Sequence, residues 1–201
     1  MVSIERQRWH CFGCGKGGDI YSFLIEYERL EFPEALRLLS KRTGIELKAR
    51  PTQIGQNSKK EKIYEINNLA REFYHYVLTQ HSVGKKAQGY LGERGVTPKI
   101  ISSFMLGFAP GTGNSLTKYL TEKKKFAKVD LLDAGLATQW SGRTRDFFQG
   151  RLIFPLVDHR DNVVGFSGRV LDKNITTAKY INTRDTLAYH KGDHVYALNI
   201  T

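Results

Sequence analysis

The amino-acid sequence predicts an α+β fold, because helical patterns fill its first part and strand patterns its last. Apolar residues recur at helical spacing across 20–27 and 61–81. Farther along, 152–157 and 163–166 are short runs of aliphatic and aromatic residues, which favour strands. Residues 48–60, by contrast, show no apolar periodicity and contain proline, glycine and a lysine pair. We interpret them as an exposed linker between two domains.

The predicted first domain, 1–47, contains a strand followed by two helices. Residues 7–12 are strand-like, and Asp19 suits the N-cap of a helix that continues with apolar residues at positions 20, 23, 24 and 27. Pro33 lies near the first position of a second helix, and Gly44 suits the residue that ends it.

The predicted second domain, 61–201, begins with the long helix and ends in strands. Four short helices follow the long one, around 87–91, 98–104 (with Thr97 as N-cap), 116–120 (with Ser115 as N-cap) and 130–134 (ended by Gly135). The strands 152–157 and 163–166 flank a turn that contains Asp158 and Asp161, which favour chain reversal. Residues 178–182 form a further extended segment.

The charge balance favours a polyanionic partner. The chain has 31 Lys and Arg against 20 Asp and Glu, for a formal net charge of +11. Nucleic acid is favoured over a membrane surface, although a merely soluble basic protein has the same balance. No apolar run approaches the roughly 20 residues that span a bilayer, and the polar start does not resemble a secretory signal, so we expect a cytoplasmic protein.

Cys11 and Cys14 are the only cysteines, and they form a C-x-x-C pair with Gly13 and Gly15. In a reducing compartment this spacing favours a metal or redox role over a structural disulfide. A structural zinc site needs four ligands, so the pair is half of one. The alternative is two unmetallated cysteines in a turn. A thioredoxin-like motif is disfavoured because a glycine-rich stretch separates Cys14 from the next helix.

Basic and aromatic residues are interleaved after Trp140, as is typical of proteins that bind single-stranded nucleic acid. The set is Arg143, Arg145, Arg151, Arg169, Lys179, Tyr180, Asn182 and Lys191. The alternative is a solvated basic sheet edge. The sequence contains neither a cluster of carboxylates of the kind that holds catalytic divalent cations nor a phosphate-binding G-x-x-x-x-G-K-[ST] loop.

Two sets of motifs resemble bacterial DNA primases of the DnaG type, in order and spacing over almost the whole chain. The first resembles the second half of the zinc-binding domain: 9–20, Phe23, 26–28, 32–35 and 43–45. The second resembles the start of the RNA polymerase core: 73–74, 90–91, 93–95, Phe104, 106–110, 134–136, 150–155, 168–171, 179–182 and 190–192.

The resemblance implies a zinc ribbon that helps to recognise single-stranded DNA template and a core that joins ribonucleotides into a short RNA primer. It also implies Zn²⁺ and Mg²⁺ as cofactors and a replicative helicase as a partner of the whole protein. The positions that match the template or nucleotide path are Arg94, Arg169, Lys179, Tyr180, Asn182 and Lys191. Arg169 and Lys179 would neutralise phosphates, and Asn182 would hydrogen-bond a sugar, base or phosphate edge. Tyr180 either stacks on a base or packs in the core.

The departures from the family pattern lead us to expect a fragment that is inactive alone. Met1 follows the place of the family's C-x-x-H zinc ligands, and Thr201 precedes its Toprim subdomain, which holds Mg²⁺, so we expect no catalytic residue in this chain. A start at an internal Met of a longer reading frame is an alternative history. Template affinity is expected to be weaker, because Phe147 and Gln149 stand where arginines are usual. The motif around Lys179 also departs from the family, at Ala178, Arg184 and Asp185. The rival function is a non-catalytic module that binds single-stranded nucleic acid.

Overall fold

The computed structural model describes residues 1–45, 51–171 and 177–192, with the backbone alone for 51–57. The chain divides into two compact units, Met1–Gln56 and Asn57–Thr201. Most of the helices precede the last three strands of the main sheet, which is antiparallel, so the predicted α+β class is confirmed.

The first unit contains a small antiparallel sheet and two helices. The strands are β1 (Val2–Ser3), β2 (Arg8–His10) and β3 (Gly17–Gly18), in the order β1-β2-β3. The helices are α1 (Ile20–Tyr27) and α2 (Phe32–Thr43). Asp19 caps α1 as predicted, since its carboxylate accepts a hydrogen bond from the Ser22 backbone N–H at 2.8 Å. Gly44 ends α2 in the left-handed conformation, at φ 71°.

The long helix α3 (Pro51–Gln80) begins ten residues before the predicted start at residue 61. The predicted start of this helix is therefore wrong, because residues 51–60 are already helical. The linker itself stays a prediction, and its residues 48–50 lie outside the described residues. The physical reason is that a helix, once nucleated, gains one backbone hydrogen bond for each added residue and needs no apolar face to continue. Apolar periodicity detects only the part of a helix that is buried. The domain limits themselves stay a prediction.

Short helices and two sheets complete the second unit. The helices are α4 (Lys85–Glu93), α5 (Pro98–Ser103), α6 (Ser115–Lys118) and α7 (Lys128–Asp133), and a π-helical turn, Tyr119–Lys123, extends α6. The main antiparallel sheet has the order β4-β7-β8-β9, and its strands are β4 (Gly107–Ala109), β7 (Arg151–Val157), β8 (Val163–Val170) and β9 (Tyr180–Asn182). A separate hairpin pairs β5 (Ala137–Trp140) with β6 (Arg143–Asp146).

A remote carboxylate, rather than Ser115, caps helix α6. Asp146 is 2% exposed, and its oxygens accept hydrogen bonds from the backbone N–H groups of Leu116 at 3.0 Å and Thr117 at 2.8 Å. The Thr117 hydroxyl donates to the same carboxylate at 2.6 Å. The predicted Ser115 cap is wrong because Ser115 is already the first helical residue. Thr97, in contrast, caps α5 as predicted.

The core of the second unit lies between α3 and the main sheet. Tyr74 of α3 meets Phe166 of β8 edge to face, with ring centroids 5.6 Å apart, and Phe148 packs on the same Phe166 ring. A side chain at Gly107 would come within 2.7 Å of the Tyr74 backbone, so only glycine lets β4 lie this close to α3. This packing fixes β7, β8 and β9, which carry the site described next.

Candidate nucleic-acid interface

An arginine between two tyrosine rings forms the centre of the candidate site. The guanidinium carbon of Arg169 lies 5.0 Å from the ring centroid of Tyr90 and 5.5 Å from that of Tyr180. Arg94 approaches the same Tyr90 ring at 5.3 Å. These distances allow cation–π attraction, which is worth about 0.5–1 kcal/mol for each pair at exposed sites.

Local sequence accounts for this arrangement. Arg169 on β8 lies directly opposite Tyr180 on β9 in the strand register, so their side chains share one face of the sheet. Tyr90 and Arg94 are four residues apart on α4 and its C-cap, which places them one helical turn apart on one face.

Two adjoining clefts open beside this cluster. The first has a volume of about 440 Å³, and its lining combines Tyr90, Arg94, Arg169 and Tyr180 with apolar residues that include Phe104 and Leu152. The second has a volume of about 380 Å³ and is lined by Phe154, Leu156, Ser167, Tyr180, Asn182, Tyr189 and Lys191. Tyr180 and Phe154 belong to both clefts. Among the described residues, neither lining contains an acidic side chain, and the charged side chains of both linings are cationic.

The structure brings together five of the six predicted site residues: Arg94, Arg169, Tyr180, Asn182 and Lys191. The Tyr180 ring is 50% exposed, so it forms a cleft wall and is not a core residue. Lys179 is exposed and does not line either cleft, and its backbone carbonyl accepts a hydrogen bond from Val170 at 3.0 Å. The roles of all six residues in binding stay predictions.

Arg151, which the sequence groups with the basic residues of a nucleic-acid surface, is buried. It is 6% exposed, and its guanidinium donates to the carbonyls of Gly168 at 3.1 Å, Ala178 at 3.0 Å and Lys179 at 3.4 Å. Burial lowers the pKa of this guanidinium. Arg151 therefore holds the start of β9 against β8 and does not face solvent. Arg143 and Arg145 lie on β6, apart from the residues that line the clefts.

Sequence reasoning missed Tyr90 and Phe154 as site residues. The spacing of Tyr90 from Arg94 is the signal that could have found the first, since i and i+4 side chains meet on a helix. Phe154 gave no such signal, because an aromatic residue in an apolar strand is ordinarily assigned to the core.

The cysteine knuckle lies in the first unit. The Cys11 N–H donates to the Lys16 carbonyl at 2.7 Å, and the Gly15 N–H donates to the Cys11 carbonyl at 2.9 Å. Hydrogen bonds from the Cys14 N–H, then the Cys14 thiol and the Gly13 N–H, lower the pKa of the Cys11 thiol. Both thiols are free, and Cys14 is exposed.

As a metal site, the knuckle supplies two of the four ligands of a structural zinc site. In the described ranges, no group of three His, Cys, Asp or Glu side chains could hold a metal ion. The His10 ring packs edge to face on Phe12 at 4.9 Å. The residues present therefore fit half of the ligand set.

Within the described residues, no helix combines the length and apolar character needed to cross a membrane.

Two family models match this chain, and together they define a class of protein in which a zinc finger is followed by a primase core. The CHC2 zinc finger matches residues 1–54, and the DNA primase catalytic core, N-terminal domain, matches residues 73–201. The chain belongs to the DnaG family of bacterial DNA primases, which confirms the resemblance seen in the sequence.

Curated relatives agree with this assignment. The DNA primase of Deinococcus radiodurans is 38% identical over 201 residues, which cover 99% of this chain and 33% of that protein. The DNA primase of Salmonella typhimurium is 38% identical over 205 residues, which cover 98% of this chain and 34% of that protein. The chain thus spans about a third of the length of these relatives.

Solved structures show the same fold. The RNA polymerase domain of Mycobacterium tuberculosis primase DnaG matches with a TM-score of 0.65 and 34% identity, over 69% of this chain and 45% of that one. A DnaG primase catalytic domain bound to single-stranded DNA matches with a TM-score of 0.64 and 32% identity, over 71% and 44%. The zinc-binding and RNA polymerase domains of Aquifex aeolicus primase match with a TM-score of 0.62 and 32% identity, over 98% and 46%.

Proposed function

We propose that this chain holds single-stranded DNA template for a primase that synthesises RNA primers during DNA replication. The observation that carries the proposal is the Arg169 guanidinium between the rings of Tyr90 and Tyr180, in the lining of the first cleft. Tyr180 continues from there into the second cleft, which Lys191 also lines. A related catalytic domain that binds single-stranded DNA supports the same ligand class.

The chemistry of the cluster suits an unpaired strand. Arg169 neutralises a backbone phosphate, and the half-exposed Tyr180 ring stacks on an unstacked base. Asn182 offers both a donor and an acceptor to a sugar, base or phosphate edge. Arg94 and Lys191 add positive charge to the cleft linings, and Lys179, next to Tyr180 in the chain, adds charge outside them.

The Tyr90 hydroxyl supports a ligand in the first cleft. It is buried and has no hydrogen-bond partner among the described residues. Buried hydroxyl groups are ordinarily paired, since leaving one unpaired costs about 1–3 kcal/mol. We propose that this hydroxyl hydrogen-bonds the bound strand or a ribonucleotide paired with it.

Catalysis is proposed to require more than this chain supplies. Nucleotidyl transfer commonly uses two divalent cations held by clustered carboxylates, and we propose that the 201-residue chain alone does not prime. For the whole protein we propose ribonucleotides as substrates, Mg²⁺ as the catalytic cation, a replicative helicase as a partner and the cytoplasm as the location. Cys11 and Cys14 would supply two ligands to zinc, which would order the knuckle.

Fluorescence anisotropy of labelled single-stranded DNA across a salt series tests the template proposal. Arg169→Ala is expected to weaken binding and to reduce the slope of log K against log salt by about 0.7, the share of one phosphate contact on a single strand. Lys128→Ala, which removes an exposed charge on α7, is the matched control and should leave the slope unchanged. Equal slopes for both variants would contradict the proposal.

A further inference from the structure

The β5–β6 hairpin is tightly formed, and none of its residues lines either cleft. Its two-residue turn, Ser141–Gly142, has positive φ at both positions, 47° and 72°. Such a turn matches the natural twist of paired strands and makes a tight hairpin. The register pairs Trp140 with Arg143 at the turn and Thr138 with Arg145 one step farther back.

The hairpin has two different faces. Side chains alternate along a strand, and directly paired residues point to the same side, so Trp140, Arg143 and Arg145 share one face. Ala137 and Asp146 also form a pair, on the opposite face, and both are buried, at 5% and 2% exposure. The hairpin is therefore anchored by one face and presents the other to solvent.

The solvent face combines a flat aromatic surface with positive charge. Trp140 is 68% exposed, and Arg143 and Arg145 are both exposed. The only acidic residue of the hairpin, Asp146, points the other way and is bonded to the start of α6. A single exposed tryptophan is common on protein surfaces, but one flanked by two arginines without an acid is the pattern that suits an unstacked base and its phosphates.

We propose that this solvent face of the hairpin, formed by Trp140, Arg143 and Arg145, is a second contact site for single-stranded nucleic acid. Trp140 stacks on one base, and the two arginines bind phosphates beside it. Arg143 and Arg145 are two residues apart on one strand, about 7 Å along it, so they can reach neighbouring phosphates of an extended strand. The site shares no residue with the clefts, and it rests on the single-strand binding proposed above.

Tryptophan fluorescence of the full chain tests the hairpin site, because Trp9 and Trp140 are the only tryptophans. Titration with an oligothymidylate should quench the fluorescence of the unmodified chain. Trp140→Phe should lose most of that quenching. Trp140→Ala should weaken binding in the anisotropy assay by about five-fold or more, the lower range for loss of a stacked aromatic. Gln139→Ala, on the same strand with its side chain on the other face, is the matched control and should bind normally.

The possible results separate the two proposals. Normal binding by Trp140→Ala and by the Arg143→Ala/Arg145→Ala double variant, with weak binding by Arg169→Ala, would overturn the hairpin site and leave the cleft. Weak binding by Trp140→Ala with normal binding by Arg169→Ala would do the reverse. No binding by the unmodified chain at low salt would overturn both. A change from dimer to monomer on Trp140→Ala, with unchanged DNA binding, would instead assign the face to a second copy of the chain.

Circular dichroism of each variant checks that a loss of binding does not come from a loss of folding. Trp140 and both arginines are exposed, so their replacement should leave the spectrum and melting temperature close to those of the unmodified chain.

Discussion

The two units differ in how much apolar surface they bury. In the described part of the first unit, Leu30 and Ala35 are the buried hydrophobic residues, while Phe12 and Tyr27 are 77% and 73% exposed. The second unit buries large side chains such as Tyr74, Phe148 and Phe166 completely or nearly so. The first unit therefore depends on caps, turns and its knuckle for order, whereas the second depends on a packed core.

The sharpest way to break this comparison is to remove one large ring from each unit. Phe166→Ala should lower the free energy of unfolding of the second unit by about 3–5 kcal/mol, because it leaves a cavity against Tyr74 and Phe148. Phe12→Ala should change stability by less than about 0.5 kcal/mol, since the ring is mostly in solvent. Guanidinium denaturation followed by circular dichroism measures both. Similar losses for the two variants would contradict the contrast.

A smaller effect is expected where the hairpin joins the core. Asp146→Asn keeps the shape but removes the charge and replaces one acceptor oxygen by a donor group. One of the two N–H groups, of Leu116 or Thr117, then loses its partner. The loss of stability should be about 1–3 kcal/mol. Denaturation measures it, and the test would fail if Asp146→Asn were as stable as the Ser115→Ala control, which removes the side chain wrongly predicted as the cap.

The smallest effect concerns Tyr74, whose buried hydroxyl has no partner among the described residues. Burial raises the pKa of Tyr74 well above the ordinary value of 10.0. A group whose pKa is raised on folding contributes stability that is present below the unfolded value and lost at higher pH. Stability should thus fall as pH rises above about 10, and Tyr74→Phe should reduce that fall while leaving stability at pH 7 equal or slightly higher.

Denaturation of the unmodified chain and Tyr74→Phe at pH 7, 9, 10 and 11 measures this difference. If stability fell equally with pH in the unmodified chain and in Tyr74→Phe, the alkaline loss of stability would not come from Tyr74.

Local signals in the sequence predicted much of the fold. Asp19 and Gly44 mark the ends of helices by chemistry that acts within a few residues, and the apolar runs in β7 and β8 are continuous because both faces are covered. The β5–β6 hairpin was missed because its residues are polar and its turn, Ser141–Gly142, is not among the strongest hairpin signals. The extra turns of α3 were missed because residues 51–60 carry no apolar periodicity in the sequence.

The candidate site was predictable in part, because the family resemblance supplied five of the residues that line the clefts: Arg94, Arg169, Tyr180, Asn182 and Lys191. Long-range contacts supplied the rest. No local rule shows that Arg151 turns inward to three carbonyls, or that Asp146 caps a helix thirty residues before it. Such contacts depend on which strands become neighbours, and only the assembled sheet determines that.

The buried Arg151 guanidinium has a consequence for the kinetics of binding. Moving β9 away from β8 would take the Ala178 and Lys179 carbonyls away from a positive charge in a desolvated place, so the strand that carries Tyr180 is held before any ligand arrives. A DNA strand that reaches the cleft lined by Tyr180 can then bind without a prior rearrangement of β9. Association should be governed by electrostatic encounter, with a rate that falls as ionic strength rises.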